Sequence, residues 1–257
     1  MKRITVKVGS AVLTREDGTL DVTRLSAIVD QIAMLHKSGY EVILVSSGAV
    51  ASGRGELHLG NTQELDSVGQ RQLFSAVGQA KLINRYYDFF SEHHLHVGQV
   101  LTQKSDFDSE EHRRNMQTCM NVMLDNGVIP IVNENDTVSI AELMFTDNDE
   151  LSGLIARMMN VDTLIILSNI DGLYDGNPET PGTSLIHEVL PGNRIDQYIQ
   201  AKKSVVGRGG MQSKCTTAMT VASSGIDVYL ARGTRENVLT DLLLSDVRVP
   251  HTHFVRQ

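Results

Sequence analysis

Two lysines of this sequence lie next to glycine-containing turns, a combination suited to binding a phosphate chain. Lys7 stands in an apolar, strand-like segment that ends at Gly9 and Ser10, and Lys214 follows Gly210 near the start of a predicted helix. Glycine lets the backbone approach a ligand closely, free amides can cradle phosphate oxygens, and lysine adds a point charge. Taken singly, a solvent-exposed lysine at a sheet edge is the better interpretation of Lys7. A flexible loop is an equal alternative for Lys214.

Two polar runs have the composition of a site for a zwitterion such as a free amino acid. The run Asn-Glu-Asn-Asp at 133–136 directly follows an apolar segment, and Asp147, Asn148 and Asp149 precede a predicted amphipathic helix. Carboxylates bind an ammonium group, whereas amides bind a carboxylate group. The alternatives are a solvated turn for the first run and helix capping for one residue of the second.

A third feature is the turn Ser46-Ser47-Gly48, which ends a strand-like segment and precedes a helix of small residues. A helix N-terminus that follows glycine is suited to binding an anion. An ordinary strand-to-helix turn with a serine cap is an equally good interpretation when this turn is considered alone.

The elements that would position these residues alternate between strands and helices. Short β-branched runs predict strands at 3–9, 41–46, 96–101, 128–132, 162–168 and 227–231. Helical patterns lie between several of them; in the clearest, Asp21 caps an apolar stripe that Gly39 ends. This alternation predicts an α/β fold with a mainly parallel sheet. Because ligands bind at the carboxyl ends of such strands, the polar turns above are expected at one edge of the sheet.

Composition limits the class of protein. The chain has 257 residues, 41% of them hydrophobic, and a formal net charge of −8 without a basic stripe, which argues against nucleic acid as a partner. It has two cysteines, Cys119 and Cys215, each without a second cysteine nearby, and no apolar run of membrane-spanning length. We expect a cytoplasmic, globular protein with no membrane association.

Several familiar catalytic motifs are missing from the sequence. It contains no P-loop, no G-x-G-x-x-G dinucleotide fingerprint, no H-E-x-x-H zinc motif and no G-x-S-x-G nucleophile turn. The histidines within 93–96 straddle a predicted helix end and strand start, so solvated side chains are the better interpretation than a metal site. We expect no metal ligated by the protein itself.

The motifs taken in order resemble those of the amino acid kinase family. They are "VKVGSAVLT", "SSGAVASG", "VIPIVNENDTV", "DNDELSGLIA", "SNIDGLYDGNP" and "GRGGMQSK". The resemblance covers nearly the whole chain and implies a three-layer α/β/α sandwich around a mainly parallel sheet. It implies a single domain over 1–257, with the amino-acid site in its N-terminal part and the nucleotide site in its C-terminal part. The sequence ends at Gln257, so in a departure from the family pattern we expect no C-terminal PUA domain of the kind that many bacterial relatives carry.

The resemblance further implies ATP-dependent phosphorylation of the glutamate side-chain carboxylate to γ-glutamyl phosphate, the first step of proline biosynthesis. Magnesium would be carried by ATP. By matching motifs, Lys7 and Lys214 would grip the ATP phosphates and Asp149 would orient both lysines. The acceptor site would comprise Ser47, Gly48, Asn133, Asp136 and Asn148, with Asp136 against the ammonium group. Amides of Gly9, Ser10 and Gly48 would face the transferring phosphoryl group.

The nucleotide site implied by the resemblance lies further along the chain. It comprises Ser168, Asn169, Arg208, Gly209, Gly210, Met211, Gln212, Ser213 and Lys214, together with Lys7, Gly9 and Ser10. Two of these depart from the family pattern, since Asn169 stands where an aspartate is usual and Arg208 where a small residue is common.

The partners that the resemblance implies are L-glutamate and ATP, with proline as feedback inhibitor. It also implies a homo-oligomer, a dimer or tetramer, and a glutamate-5-semialdehyde dehydrogenase that takes up the labile product. The alternatives are a kinase of the same fold that acts on N-acetylglutamate, aspartate or a nucleoside monophosphate, and a non-catalytic amino-acid sensor. The intact lysines and glycine turns argue against the sensor.

Overall fold

A mainly parallel β-sheet forms the centre of the computed structural model, which describes residues 2–57, 66–138, 147–195, 198 and 210–257. In the described residues the sheet has eight strands in the order β3-β4-β2-β1-β5-β7-β8-β6. The strands are β1 (Lys2–Val8), β2 (Tyr40–Ser46), β3 (His96–Thr102), β4 (Val128–Glu134), β5 (Thr163–Ser168), β6 (Glu188–Val189), β7 (Asp227–Arg232) and β8 (His251–Phe254). The β7–β8 pair is antiparallel and the other pairs are parallel.

All six strands predicted from the sequence are present, with ends shifted by two residues or fewer. Two further strands, β6 and β8, were not predicted. Strand β6 has only two residues and β8 only four, too short for a clear alternation of apolar and polar residues. Strand β4 also runs further than predicted, because Asn133 and Glu134 still belong to it.

Helices cover both faces of the sheet. Their bounds are α1 (Ser10–Leu13), α2 (Val22–Lys37), α3 (Ala49–Leu57), α4 (Ser67–Glu92), α5 (Lys104–Asp108), α6 (Glu110–Asp125), α7 (Asn148–Met158), α8 (Met211–Ala222) and α9 (Val238–Leu244). Helices α1, α2, α4 and α9 contribute to the hydrophobic core on one face, and α5 to α8 contribute to the core on the other. The predicted three-layer α/β/α fold is therefore confirmed. Among the residues described, no helix combines the length and apolar composition needed to cross a membrane.

Helix α2 shows how the local sequence sets these elements. The Asp21 side chain accepts a hydrogen bond from the Arg24 amide and so satisfies one of the amides left free at the N-terminus. The apolar stripe from Leu25 to Leu35 is buried against the sheet, which stabilises the fold by about 1.5–3 kcal/mol for each large side chain. The helix ends before Gly39, whose φ of +89° favours glycine.

The alternation of side chains along β1 decides where Lys7 points. Val6 and Val8 belong to the core under α2, so Lys7, between them, projects to the opposite face. Its neighbours in the register, Val45 and Ile166, belong to the core that α7 and α8 cover. Lys7 therefore lies on the face where the N-termini of α7 and α8 meet the sheet.

Candidate active site

A cavity of about 840 Å³ lies at the carboxyl ends of β1, β2, β4 and β5, the edge that the topology predicts for a ligand. Of the site residues predicted from the sequence, it is lined by Lys7, Gly9, Ser10, Ser47, Gly48, Asn133, Asp136, Asn148, Asp149, Ser168, Asn169, Gly210, Met211 and Lys214. Two predicted residues, Gln212 and Ser213, do not line the cavity. Arg208 and Gly209 lie outside the described residues.

Lys7, Asp149 and Lys214 form a buried ion-pair triad. Lys7 Nζ lies 2.5 Å from Asp149 Oδ1, and Lys214 Nζ donates a hydrogen bond to Oδ2 of the same carboxylate at 2.8 Å. The Asp149 side chain is fully buried, and those of Lys7 and Lys214 are 4% and 11% exposed. The triad joins residues from β1, α7 and α8, so one carboxylate holds two positive charges side by side at the cavity wall.

The electrostatics of the triad follow from this arrangement. Burial by itself would raise the pKa of Asp149, but the positive charges of Lys7 and Lys214 outweigh it and hold that pKa below its ordinary value. Asp149 therefore stays ionised and acts as a counter-ion. It is not a candidate for a proton-transfer group at neutral pH.

Asp147 caps α7 and links it to α8. Its Oδ1 accepts hydrogen bonds from the amides of Asp149 and Glu150 at 2.8 and 3.1 Å. Burial raises the pKa of Asp147 and the charge of Asp149 adds to the effect, while a hydrogen bond with the Ser213 side chain and the charge of Lys7 oppose it. Ser213 does not line the cavity, but it acts on the pKa of Asp147, which does.

Gly9 and Gly48 are two cavity-lining positions where glycine is favoured. A Cβ atom at Gly9 would lie 3.2 Å from Lys7 Nζ, so glycine leaves room beside this ammonium group. Gly48 has a φ of +112°, a conformation that residues with a side chain rarely adopt. One expectation needs correction: the Gly9 amide donates to the Leu167 carbonyl at 3.2 Å, because β1–β5 pairing continues one residue past the strand. It is not directed at the cavity.

The N-terminus of α8 faces the same cavity. Gly210 is its N-cap and supplies no side-chain hydrogen bond, and both Gly210 and Met211 line the cavity. Lys214 lies one turn into this 12-residue helix. Helix N-termini attract anions through unpaired amides and the helix dipole, and the lysine adds a full charge to that attraction.

Amide groups connect the ends of β2 and β4. The Asn148 side chain donates to Ser47 Oγ at 3.0 Å, to Asn133 Oδ1 at 2.9 Å and to the Ser46 carbonyl at 3.2 Å. The structure therefore brings together three residues predicted for the acceptor site from three separate segments, next to Asp149.

Asp136, the residue predicted to face an ammonium group, already has two donors from α4. Arg71 Nη2 hydrogen-bonds Asp136 Oδ1 and, at 2.8 Å, Glu134 Oε2. Ser75 Oγ donates to Asp136 Oδ2 at 3.0 Å. Arg71 and Glu134 also line the cavity. Neither Arg71 nor Ser75 was predicted as a site residue.

A third α4 residue, Gln79, reaches the same strand end. Its side-chain oxygen accepts a hydrogen bond from Asn133 Nδ2 at 2.9 Å. The signal that sequence analysis missed is the spacing, because Arg71, Ser75 and Gln79 recur every four residues and so share one face of the helix.

The segment after β5 is anchored at the other end of the cavity. Arg232 binds both carboxylate oxygens of Asp171 at 2.9 and 3.0 Å, and the Tyr174 hydroxyl donates to the same group at 3.1 Å. Asn169 accepts a hydrogen bond from Ser168 Oγ at 3.3 Å. These contacts fix the loop that begins at Asn169, directly after Ser168 at the end of β5; both are predicted nucleotide-site residues.

Comparison with known proteins identifies the family. The family model described as "Amino acid kinase family" matches residues 2–232. The chain belongs to the amino acid kinase family. The family resemblance and the fold predicted from the sequence are both confirmed.

Individual amino acid kinases extend the comparison. The chain is 62% identical to a glutamate 5-kinase of Bacteroides thetaiotaomicron over 253 residues, which cover 98% of this chain and 70% of that protein. It is 49% identical to a glutamate 5-kinase of Chlorobaculum tepidum, over 93% of this chain and 65% of that protein. The chain therefore spans about two thirds of the length of these relatives.

Solved structures support the fold alone. A carbamate kinase from Giardia lamblia bound to AMP-PNP superposes with a TM-score of 0.70 at 17% sequence identity, covering 100% of this chain and 99% of that chain. At this identity the likeness carries no information about the substrate.

Proposed function

We propose that this chain transfers the γ-phosphoryl group of ATP to the side-chain carboxylate of L-glutamate, forming γ-glutamyl phosphate for proline biosynthesis. The observation that carries the proposal is the pairing of Lys7 and Lys214 on the single carboxylate of Asp149, beside a pocket of amides and carboxylates. The identity of 62% to a glutamate 5-kinase supports the same acceptor.

The chemistry needs no protein nucleophile. The γ-carboxylate of glutamate is ionised near neutral pH and can attack the γ-phosphorus in line. The negative charge of the two reactants must then be neutralised while they are held in contact. Two ammonium groups at fixed positions provide that charge, and Asp149 prevents them from separating.

The acceptor site has a partner for each charged group of a free amino acid. The side chains of Ser47, Asn133 and Asn148 offer hydrogen-bonding groups near the triad. The carboxylate of Asp136 would attract the α-ammonium group. N-acetylglutamate and nucleoside monophosphates lack that ammonium group, so a site built around Asp136 disfavours both.

We place ATP in the other half of the cavity, which is lined by the N-terminus of α8 and the loop after β5. Magnesium would be carried mainly by the phosphate oxygens of ATP, as is usual for this ion in kinases. When bound with ATP, magnesium would supply additional neutralisation of phosphate charge.

A turnover assay tests the proposal. Purified protein receives ATP, magnesium and one acceptor from glutamate, aspartate, N-acetylglutamate and UMP, while ADP release is coupled to a spectroscopic signal. Hydroxylamine traps any acyl phosphate as a hydroxamate. Glutamate is expected to support turnover and hydroxamate formation. ADP release with another acceptor alone, or no release with glutamate, would refute the proposed acceptor.

The variants Lys7→Ala and Lys214→Ala test the mechanism. Each removes one donor to the transferring group and is expected to lower kcat on the order of 100- to 1000-fold, equivalent to roughly 2.7–4 kcal/mol. Far-UV circular dichroism checks that the variants fold. Unchanged turnover in either variant would show that the triad does not contact the phosphoryl group.

We also propose the further properties that similarity to glutamate 5-kinases supports. These are inhibition by proline, assembly as a homodimer or homotetramer, action in the cytoplasm, and uptake of the acyl phosphate by a glutamate-5-semialdehyde dehydrogenase. Light scattering measures the assembly, and the turnover assay with and without proline measures the inhibition. A monomer that proline does not inhibit would contradict the first two.

A further inference from the structure

A stripe of polar side chains on α4 approaches the end of β4, where the acceptor site lies. The stripe consists of Arg71, Ser75 and Gln79, which follow one another at intervals of one helical turn. All three contact the segment 133–136. Arg71 contacts Glu134 and Asp136, Ser75 contacts Asp136, and Gln79 contacts Asn133. We call these three residues the α4 polar stripe.

The position of the stripe is fixed by unusually close packing of α4 on α3. A Cβ atom at Gly78 would lie 1.8 Å from the Ala49 carbonyl oxygen, and one at Gly53 would lie 1.9 Å from the Phe74 carbonyl oxygen. The two helices therefore touch backbone to backbone. Because α3 begins next to the Gly48 turn, the stripe is held at a set distance from the acceptor site.

Arg71 joins two carboxylates that would otherwise repel each other. The Glu134 and Asp136 side chains are 2% and 7% exposed, so water screens their charges little. The same nitrogen, Nη2, contacts both of them. The guanidinium group thus holds Asp136 in one orientation, while Ser75 fixes the second oxygen of that carboxylate.

We propose that Arg71 is a positioning residue that holds the Asp136 carboxylate for the ammonium group of the acceptor amino acid. This inference rests on the proposed function, because it deepens the account of that acceptor site. Arg71 contacts the acid pair of Glu134 and Asp136, while the ATP phosphates are assigned to Lys7 and Lys214, which contact Asp149 instead. Arg71 therefore governs the KM for glutamate and leaves the KM for ATP unchanged.

Kinetics of charge-removing and charge-keeping variants test the assignment. Arg71→Met is expected to raise the glutamate KM about 10- to 100-fold, the effect of losing hydrogen bonds between charged groups, with the ATP KM within about 2-fold of wild type. Arg71→Lys should recover part of the loss, because a single nitrogen makes both contacts. Lys81→Met is the matched control, since it removes one charge from the same helix at an exposed pair with Glu56.

A double-mutant cycle separates positioning from a general structural role. If Arg71 acts through Asp136, then Arg71→Met should add less than about 3-fold to the glutamate KM of Asp136→Asn. Ser75→Ala, which keeps all charges, should raise the same KM about 2- to 10-fold and gives a second measurement if Arg71→Met does not fold.

Three outcomes would overturn the assignment. The first is a glutamate KM in Arg71→Met or Ser75→Ala equal to that of wild type, and the second is a rise in the ATP KM of Arg71→Met as large as the rise in its glutamate KM. The third is a glutamate KM in the double variant that equals the product of the separate effects of Arg71→Met and Asp136→Asn. Wild-type turnover with glutamate distinguishes this failure from that of the proposed function. An inactive wild type would end both, whereas an active wild type with an unaffected Arg71→Met would end only this inference.

Discussion

Replacing Asp149 by asparagine should destabilise the protein strongly in the absence of nucleotide. The substitution keeps the shape of the side chain but removes the negative charge that Lys7 and Lys214 share. It also turns an amide N–H group toward at least one ammonium group. Two buried positive charges then face each other without a counter-ion, an arrangement that water cannot screen at this depth.

Two estimates give the size of the effect. Removing one partner of a buried ion pair costs about 3–5 kcal/mol. Separately, two positive charges at about 5 Å repel by roughly 3 kcal/mol at an effective dielectric constant of about 20. A loss of about 3 kcal/mol lowers Tm by roughly 6–12 °C for a domain of this size. Asp149→Asn is therefore expected to unfold at a temperature roughly 6–12 °C below that of wild type.

Thermal unfolding with and without nucleotide measures this prediction. A polyphosphate would replace the missing counter-ion, so ATP with magnesium should raise the Tm of Asp149→Asn more than that of wild type. Asp30→Asn serves as control, because this exposed aspartate pairs with His93 and its loss should change the Tm little. A Tm within 1 °C of wild type would refute the argument that Asp149 holds the lysines in place. An equal nucleotide shift in both proteins would refute phosphate binding by those lysines.

Two further predictions concern acid stability and the packing of α3 on α4. Folding lowers the pKa of Asp149. The stability that its ionised carboxylate contributes is therefore fully present above the unfolded-state pKa of 3.8, and it is lost as the pH falls through the lower pKa of the folded state. The difference in unfolding free energy between wild type and Asp149→Asn should therefore shrink below about pH 4 in denaturant titrations. Gly78→Ala should destabilise by about 1–3 kcal/mol and raise the glutamate KM, because its Cβ would meet the Ala49 carbonyl at 1.8 Å. Gly55→Ala, with 3.6 Å to its nearest neighbour, should do neither.

The placement of Lys7, Asp149 and Lys214 at one edge of the sheet was predictable because local patterns determine it. The alternation along β1 puts Lys7 on one face of the sheet, and helix starts after polar or glycine residues put Asp149 and Lys214 at the carboxyl ends of the strands. A parallel sheet brings such ends together whatever the distance along the chain. The contact among the three side chains does not follow from these local rules, and it was expected only from the resemblance to the amino acid kinase family.

The acceptor side was only partly predictable, because it depends on packing between elements. Polar residues every four positions along a helix usually form a solvated face, so Arg71, Ser75 and Gln79 carry no local sign of a site. Their contacts with the end of β4 arise from the close approach of α4 to α3 at Gly53 and Gly78. The Gly9 amide was assigned wrongly for a similar reason, since its partner, Leu167, lies on a different strand.

The two halves of the site are thus built from opposite layers of the fold. Helices α7 and α8, which cover one face of the sheet, supply Asp149 and Lys214, which we propose for the phosphate side. Helix α4 belongs to the other layer, and its polar stripe contacts the end of β4, which we propose as the acceptor side. The layers meet at the edge of the sheet, with Asn148 linking the end of β2 to that of β4. We therefore expect substitutions in the α4 polar stripe to change the glutamate KM while the contacts among Lys7, Asp149 and Lys214 are kept.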